Sequence, residues 1–101
     1  MIVQTEAIHF SADHKLLKAI EQKLRKLEKF FDKILDVHVS LKLESAGIFK
    51  NKIAEIKFYI PNGIIFIKEC SKTFEDAIDL AIITLKHQLI LRQKNTRILP
   101  G

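Results

Sequence analysis

The sequence predicts an α+β protein: a β-α-β-β-β-α two-layer sandwich in which a four-stranded mixed sheet carries two helices on one face. Three observations lead there. Residues 37–44 and 52–60 alternate apolar and polar side chains with period two, the pattern of half-buried strands. Residues 11–33 repeat their apolar side chains at helical spacing, and a second helical pattern opens at Thr73. Between these lies Pro61-Asn62-Gly63, a hairpin signal because Asn-Gly accepts the positive φ of tight turns.

Residues 1–10 read as the first strand, with Val3, Thr5 and Ala7 alternating against Ile2, Gln4, Glu6 and Ile8. Ser11 suits the N-cap of the first helix, and Asp13 suits its first turn. That helix is predicted to run to about Phe31, with Leu16, Leu17, Ile20, Leu24, Leu27 and Phe31 on one continuous face. The second strand sets Val37, Val39, Leu41 and Leu43 against His38, Ser40, Lys42 and Glu44, and residues 45–51 read as a polar loop around Gly47. The third strand, 52–60, sets Ala54, Ile56, Phe58 and Ile60 against Glu55, Lys57 and Tyr59. Residues 64–71 form the fourth strand, with Phe66, like Phe58, assigned to the core. Thr73 caps the last helix, and the acids Glu75 and Asp76 occupy its first turn. Phe74, Ala77, Ile78, Ala81, Leu85 and Gln88 form its inner face, and it is predicted to end near Lys94.

A strand, a crossover helix and a return strand make the first pair parallel, and the next three strands form an antiparallel meander. The two apolar helix stripes are buried most simply side by side on one sheet face. This describes one domain, residues 1–95, with a short tail at 96–101.

Composition narrows the function classes. A chain of 101 residues that is 48% hydrophobic and 29% charged suffices for a single core without metal or disulfide. Cys70 is the one cysteine, so no disulfide framework is expected and a cytoplasmic location is the default. The N-terminus lacks a basic segment followed by an apolar stretch, and no window reaches 18 apolar residues, so neither a signal peptide nor a membrane association is expected. His9, His14, His38 and His87 are scattered and show no ligand spacing with Cys70. The three glycines form neither a dinucleotide fingerprint nor a phosphate loop. The reading is a non-enzyme with no cofactor, metal or small-molecule substrate.

Charge carries more information. The chain holds 17 Lys+Arg against 12 Asp+Glu, a net +5. On the first helix Lys15, Lys18, Arg25, Lys26, Lys29 and Lys33, with Gln22 among them, fall opposite the apolar face. The acids Glu21, Glu28 and Asp32 gather on one flank, away from the i,i+4 positions that would neutralise the arc. A solvated helix face is the plain reading. A rigid cationic strip, however, suits phosphate contacts, and a helix face reads backbone shape, as expected for structured RNA. From Lys86 onward there are four basic residues (Lys86, Arg92, Lys94, Arg97) and no acid. With Phe58 and Phe66 assigned to the core, the strands offer no stacking platform and single-strand binding is disfavoured. Leu80, Ile83, Ile90 and Leu91 lie off the inner face of the last helix. Either the neighbouring helix covers Leu80 or Leu91 and the rest are scattered exposures, or Ile83, His87 and Ile90 form a protein–protein or homodimer contact.

Several segments, taken in order, resemble a known family. Lys23-Leu-Arg-Lys-Leu-Glu-Lys-Phe-Phe31, Pro61-Asn-Gly63, Lys72-Thr-Phe-Glu-Asp-Ala-Ile78 and Leu85-Lys-His-Gln-Leu89 are similar to the ribosome hibernation promoting factors. These are also called ribosome-associated inhibitors or sigma-54 modulation proteins. The resemblance spans the chain to about Lys94. It implies the β-α-β-β-β-α domain and a bacterial, cytoplasmic stress or stationary-phase protein. Its partner would be 16S rRNA of the small ribosomal subunit, in the channel used by mRNA and tRNA, where it would block translation. Carried onto this sequence, the implied rRNA contacts are Lys18, Arg25, Lys26 and Lys29 on the first helix and Lys86, His87, Arg92 and Lys94 on the second. Lys15, Gln22 and Lys33 complete the candidate strip. The chain departs from the family at Ile90 and Leu91, where further basic residues are usual, and at His87, where Arg or Lys is typical. With its end at Gly101, the chain is expected to lack the C-terminal dimerisation domain of the long forms, so pairing ribosomes would need a separate hibernation partner protein or another mechanism. Two other readings compete: a self-associating interaction module, and a double-stranded-RNA binder acting away from the ribosome.

Overall fold

The computed structural model describes the backbone of residues 1–46 and 49–98 and the side chains of residues 1–45 and 51–91. Its elements are β1 (Ile2–Ala7), α1 (His14–Arg25), β2 (Asp36–Ala46), β3 (Phe49–Ile60), β4 (Gly63–Ser71) and α2 (Phe74–Ile98), with a 3₁₀ turn, Lys26–Lys29, following α1. The four strands form one sheet in the order β1-β2-β3-β4. β1 runs parallel to β2, from Ile2↔Asp36 to Ala7↔Leu41. β2–β3 and β3–β4 are antiparallel. The predicted α+β mixed sheet and element order are those observed.

Burial of the two helix stripes holds the layers together. Ile20, Leu24 and Leu27 meet Val37, Val39 and Leu41 of β2, Ala54, Ile56 and Phe58 of β3, and Ile65 and Ile67 of β4. Phe74, Ala77, Ile78, Ala81 and Leu85 join them from α2. Both helices therefore cover the same sheet face, and the other face is left open, with Ile2, Gln4, Glu6, Ile64, Phe66 and Lys68 exposed on its outer strands. His9, at φ +62, turns the chain out of β1 through the left-handed region that few non-glycine residues adopt. Phe10 then stacks on Phe74 with ring centroids 5.4 Å apart.

Several local features differ from the sequence reading. Asp13, not Ser11, caps α1: its Oδ1 accepts a hydrogen bond from Lys15 N at 3.1 Å. Either residue could cap by propensity, and the backbone position of the helix start decides between them. The α-helical bonding stops at Arg25, so Lys33 lies beyond both the helix and the 3₁₀ turn rather than on the strip.

The expected loop at 45–51 is mostly strand. β2 and β3 stay paired to Ala46↔Phe49, with only residues 47–48 between them. Leu43 lies on the helix side by alternation yet is 55% exposed. Residues 42–45 are all exposed, so burial imposes no period-two pattern on this end of the ribbon and the sequence reads as a loop. At the other end, Ile60 pairs with Gly63, which makes Pro61-Asn62 the predicted tight turn; the positive φ, +153°, falls on Gly63.

α2, capped by Thr73 Oγ1 accepting from Asp76 N at 3.0 Å as predicted, runs to Ile98. Residues 96–98, expected as tail, are helical, and residue 95 falls within the helix. Nothing from Asn95 to Ile98 is a strong helix breaker.

Candidate nucleic-acid interface

On α1 the 3.6-residue repeat that buries Ile20 and Leu24 turns Lys15, Lys18, Gln22 and Arg25 outward, all of them exposed, and the following 3₁₀ turn presents Lys26 and Lys29. Among the described residues, no acid stands within ion-pairing distance of Lys15, Lys18, Lys26 or Lys29. These four amines form the free part of the strip.

Arg25 does not belong to that free part. Its Nε donates to Glu21 Oε1 at 2.9 Å, an i,i+4 pair, and its Nη1 lies 3.8 Å from Glu28 Oε1. Nη1 also donates to the Met1 carbonyl at 3.2 Å, and the Met1 ammonium stands 3.4 Å from Glu28 Oε1. The expectation that the flanking acids leave the arc unneutralised therefore fails at Arg25. The acids sit at the spacings that allow helical pairing, and the chain's N-terminus draws Glu28 into the same cluster.

α2 contributes unevenly. Lys86 extends its ammonium to 5.3 Å from the centroid of the Phe30 ring. That brings one cation of α2 to the end of the α1 strip, beside Lys29. The sequence reading missed Phe30, which is 68% exposed. The Phe30-Phe31 doublet was the available signal: a helical repeat buries only one of two adjacent aromatics. His87 is exposed on the outward side of α2 between Ile83 and Ile90, away from Lys86. The side chains of Arg92 and Lys94 lie outside those described.

Leu80, Ile83, Ile90 and Leu91 are 42%, 52%, 47% and 57% exposed. The neighbouring helix covers neither Leu80 nor Leu91, because α1 meets α2 on a different flank, where Lys23 of α1 pairs with Asp79. The apolar outer face of α2 is real and open.

Phe66 also departs from expectation. It is 51% exposed on the open sheet face, whereas Phe58 is fully buried. Ile64 to Ile67 is apolar at every position, so period-two alternation cannot choose which side faces the helices. The register chooses Ile65 and Ile67.

The fold and surface together define a two-layer α+β domain whose helical side carries a free cationic strip. The chain belongs to the family described as sigma 54 modulation protein / S30EA ribosomal protein, whose family model matches residues 3–97. This is the family that the ordered motifs resemble. Among solved structures, a ribosomal subunit interface protein from Coxiella burnetii is similar in fold, with a TM-score of 0.80 at 20% identity, covering 93% of this chain and 99% of that one. The N-terminal domain of Protein Y from Thermus thermophilus is similar at 26% identity with a TM-score of 0.67, covering 86% of this chain and 89% of that one. A search of curated proteins gives no significant match. Among the described residues, no helix is long and apolar enough to cross a membrane.

Proposed function

We propose that this chain is a ribosome-associated hibernation factor that binds 16S rRNA of the small subunit and blocks translation by occupying the mRNA/tRNA channel. Membership of the sigma 54 modulation / S30EA family supports ribosome association, as do the names of the two similar structures. The observation that supports the binding mode is the row of exposed amines, unpaired among the described residues, at Lys15 and Lys18 on α1 and Lys26 and Lys29 on the 3₁₀ turn after it, anchored by Ile20, Leu24 and Leu27. Each Lys that meets a phosphate releases condensed counterions, and the net +5 charge steers approach to a polyanion. Inhibition then needs no chemistry: a folded body in the channel excludes mRNA and tRNA. The reading requires neither catalysis nor a cofactor, and it places the protein in the cytoplasm with the ribosome.

Cosedimentation with purified small subunits tests it. The triple variant Lys18→Glu, Lys26→Glu, Lys29→Glu is expected to stay in the supernatant while retaining the wild-type helical signal. Wild-type cosedimentation is expected to fall steeply as salt rises. Undiminished binding by the folded triple variant rejects the proposal.

The exposed Ile83 and Ile90 favour a second reading, self-association through the outer face of α2 around Ile83, His87 and Ile90. Sedimentation velocity decides it: a concentration-dependent dimer lost in Ile90→Glu supports it, and a monomer at all concentrations removes it.

A further inference from the structure

The end of the cationic strip carries an aromatic ring that the fold leaves uncovered. Phe30 is 68% exposed, the highest value among the large apolar side chains of the described residues. Its backbone, by contrast, is held. Phe30 N donates to Leu27 O at 3.0 Å, and Phe31 N donates to the same carbonyl at 2.7 Å. Leu27 is buried and Phe31 packs against the core. The chain on both sides of the ring is therefore anchored while the ring itself stands in solvent. A single exposed apolar side chain is ordinary, so exposure alone carries little. What surrounds the ring carries more.

Cations converge on Phe30 from both helical segments. From α2, Lys86 brings its ammonium to 5.3 Å from the ring centroid, within reach of a cation–π contact. On the segment that bears the ring, Lys26, Lys29 and Lys33 are exposed. None of these four lysines has an acid within ion-pairing distance among the described residues. Of the acids in residues 26–33, Glu28 is engaged by Arg25 and by the Met1 ammonium, and Asp32 alone is unpaired among the described residues. On α2, Asp79 is held by Lys23, and no acid follows Lys86 in the sequence. The uncommitted charge around the ring is therefore positive. Lysines by themselves follow phosphates. A ring set among them adds a flat surface for a base, and only a base that is unpaired or turned out of its helix can lay its face on a side chain.

We propose that Phe30 is a stacking platform for one unpaired base of the RNA that α1 binds, with Lys29 and Lys86 meeting the adjoining phosphates. This rests on the reading of the chain as an rRNA-binding factor and sharpens it. The strip follows phosphates whatever their sequence, whereas Phe30 demands an extruded base at one end of the strip. It also gives α2 a part in binding, through Lys86, that the apolar outer face around Ile83 and Ile90 does not offer.

The chain contains no tryptophan, so the full-length variant Phe30→Trp carries a single reporter at the platform. Two short RNA stem-loops serve as probes, alike except that one has a bulged adenosine where the other has an abasic residue. Anisotropy of a fluorescein label on the RNA measures binding, and unlabelled RNA is used to read tryptophan quenching. The bulged adenosine is expected to quench Phe30→Trp, and the abasic probe to bind more weakly and leave the emission unchanged. Phe30→Ala and Phe30→Leu are expected to bind the adenosine probe about tenfold more weakly, the loss typical of one stacked base. Their salt dependence should match wild type because no charge is lost, whereas Lys86→Gln lowers the salt slope by about one. Cosedimentation of Phe30→Ala with small subunits is expected to weaken by the same factor. Equal quenching by the two probes, no quenching by either, or wild-type affinity in Phe30→Ala overturns the proposal. Weaker cosedimentation of Phe30→Ala without quenching by either RNA also overturns it, and would make Phe30 a contact with a ribosomal protein. Base-dependent quenching in a chain that fails to cosediment with small subunits supports the platform and removes the ribosome reading, so the two failures are told apart.

Discussion

Lys23 of α1 reaches across to Asp79 of α2, its Nζ donating to Oδ1 at 2.9 Å and to Oδ2 at 3.2 Å. The pair joins the two helices at their outer rim, above the contact that buries Ile20, Leu24, Ile78 and Leu85. It marks the flank of α2 that faces α1, and the Leu80–Leu91 side is left uncovered. Its partners are 30% and 51% exposed, so solvent screens it, and an exposed pair of this kind contributes about 1 kcal/mol or less. Lys23→Ala is accordingly expected to lower the urea-unfolding free energy by less than about 1 kcal/mol. A larger loss would mean that the pair, rather than the apolar contact beneath it, determines helix placement.

Capping gives a sharper contrast between neighbouring residues. Asp13→Ala removes the acceptor for Lys15 N and is expected to destabilise the protein by about 1 kcal/mol. Ser11→Ala, at the position that sequence alone favours, should change stability by no more than about 0.5 kcal/mol. Urea midpoints of the two variants measured side by side decide the matter.

The partners of Arg25 set a prediction about affinity. Glu21→Gln removes the charge from the 2.9 Å pair and leaves Arg25 only the longer 3.8 Å contact with Glu28, so the strip gains net positive charge. Ribosome binding is expected to strengthen a few-fold, with a steeper salt dependence. Arg25→Ala should weaken binding less than Lys26→Ala, because Arg25 must first give up Glu21 and Glu28. Cosedimentation titrations at two salt concentrations measure both effects, and equal losses from the two alanine variants would show that the pairing dissolves at the ribosome.

Two phenylalanines of the same sheet are expected to respond very differently. Phe58 is fully buried among Ile20, Ile56 and Ile78 in the core cluster, and Phe58→Ala should cost about 3–5 kcal/mol through lost burial and a residual cavity. Phe66 is half exposed on the opposite face, and Phe66→Ala should cost less than about 1 kcal/mol. Thermal unfolding of the pair gives the comparison.

Most of the architecture was legible in the chain. Where one face of an element is buried and the other wet, the pattern states the element: Val37 to Glu44 and Ala54 to Ile60 read directly as strands, Leu16 to Leu27 as a helix, and Pro61-Asn62-Gly63 as the hairpin. The cationic side of α1 was legible for the same reason, since the residues opposite a buried stripe must face solvent. Legibility failed where neither rule applied. Residues 42–45, leading into the end of the β2–β3 ribbon, are exposed on both of its faces, so no burial pattern marks them as strand. Ile64 to Ile67 and residues 80–91 are apolar on several sides, so periodicity assigns no face. Pairing between charges was also hidden, because whether Glu21 sits beside Arg25 or out in solvent depends on rotamers and on the nearby N-terminus of the chain.

The sequence by itself determined the order of the six elements, the α+β class, the membership of α1's apolar stripe in the core, and the side of α1 that carries positive charge. These follow from local periodicity, turn chemistry and capping, each specified within a few residues. Only the tertiary structure decided that Asp13 rather than Ser11 begins the helix, that Arg25 is paired while Lys18, Lys26 and Lys29 are free, that Lys86 comes to rest over Phe30, and that Phe66 faces away from the helices. The face of Phe66 depends on strand register, and the place of Lys86 over Phe30 on the flank along which the helices meet; both are set by contacts between residues far apart in the chain. The Asp13 cap depends on where the backbone starts the helix, and the Arg25 pairing on where the N-terminus of the chain comes to rest.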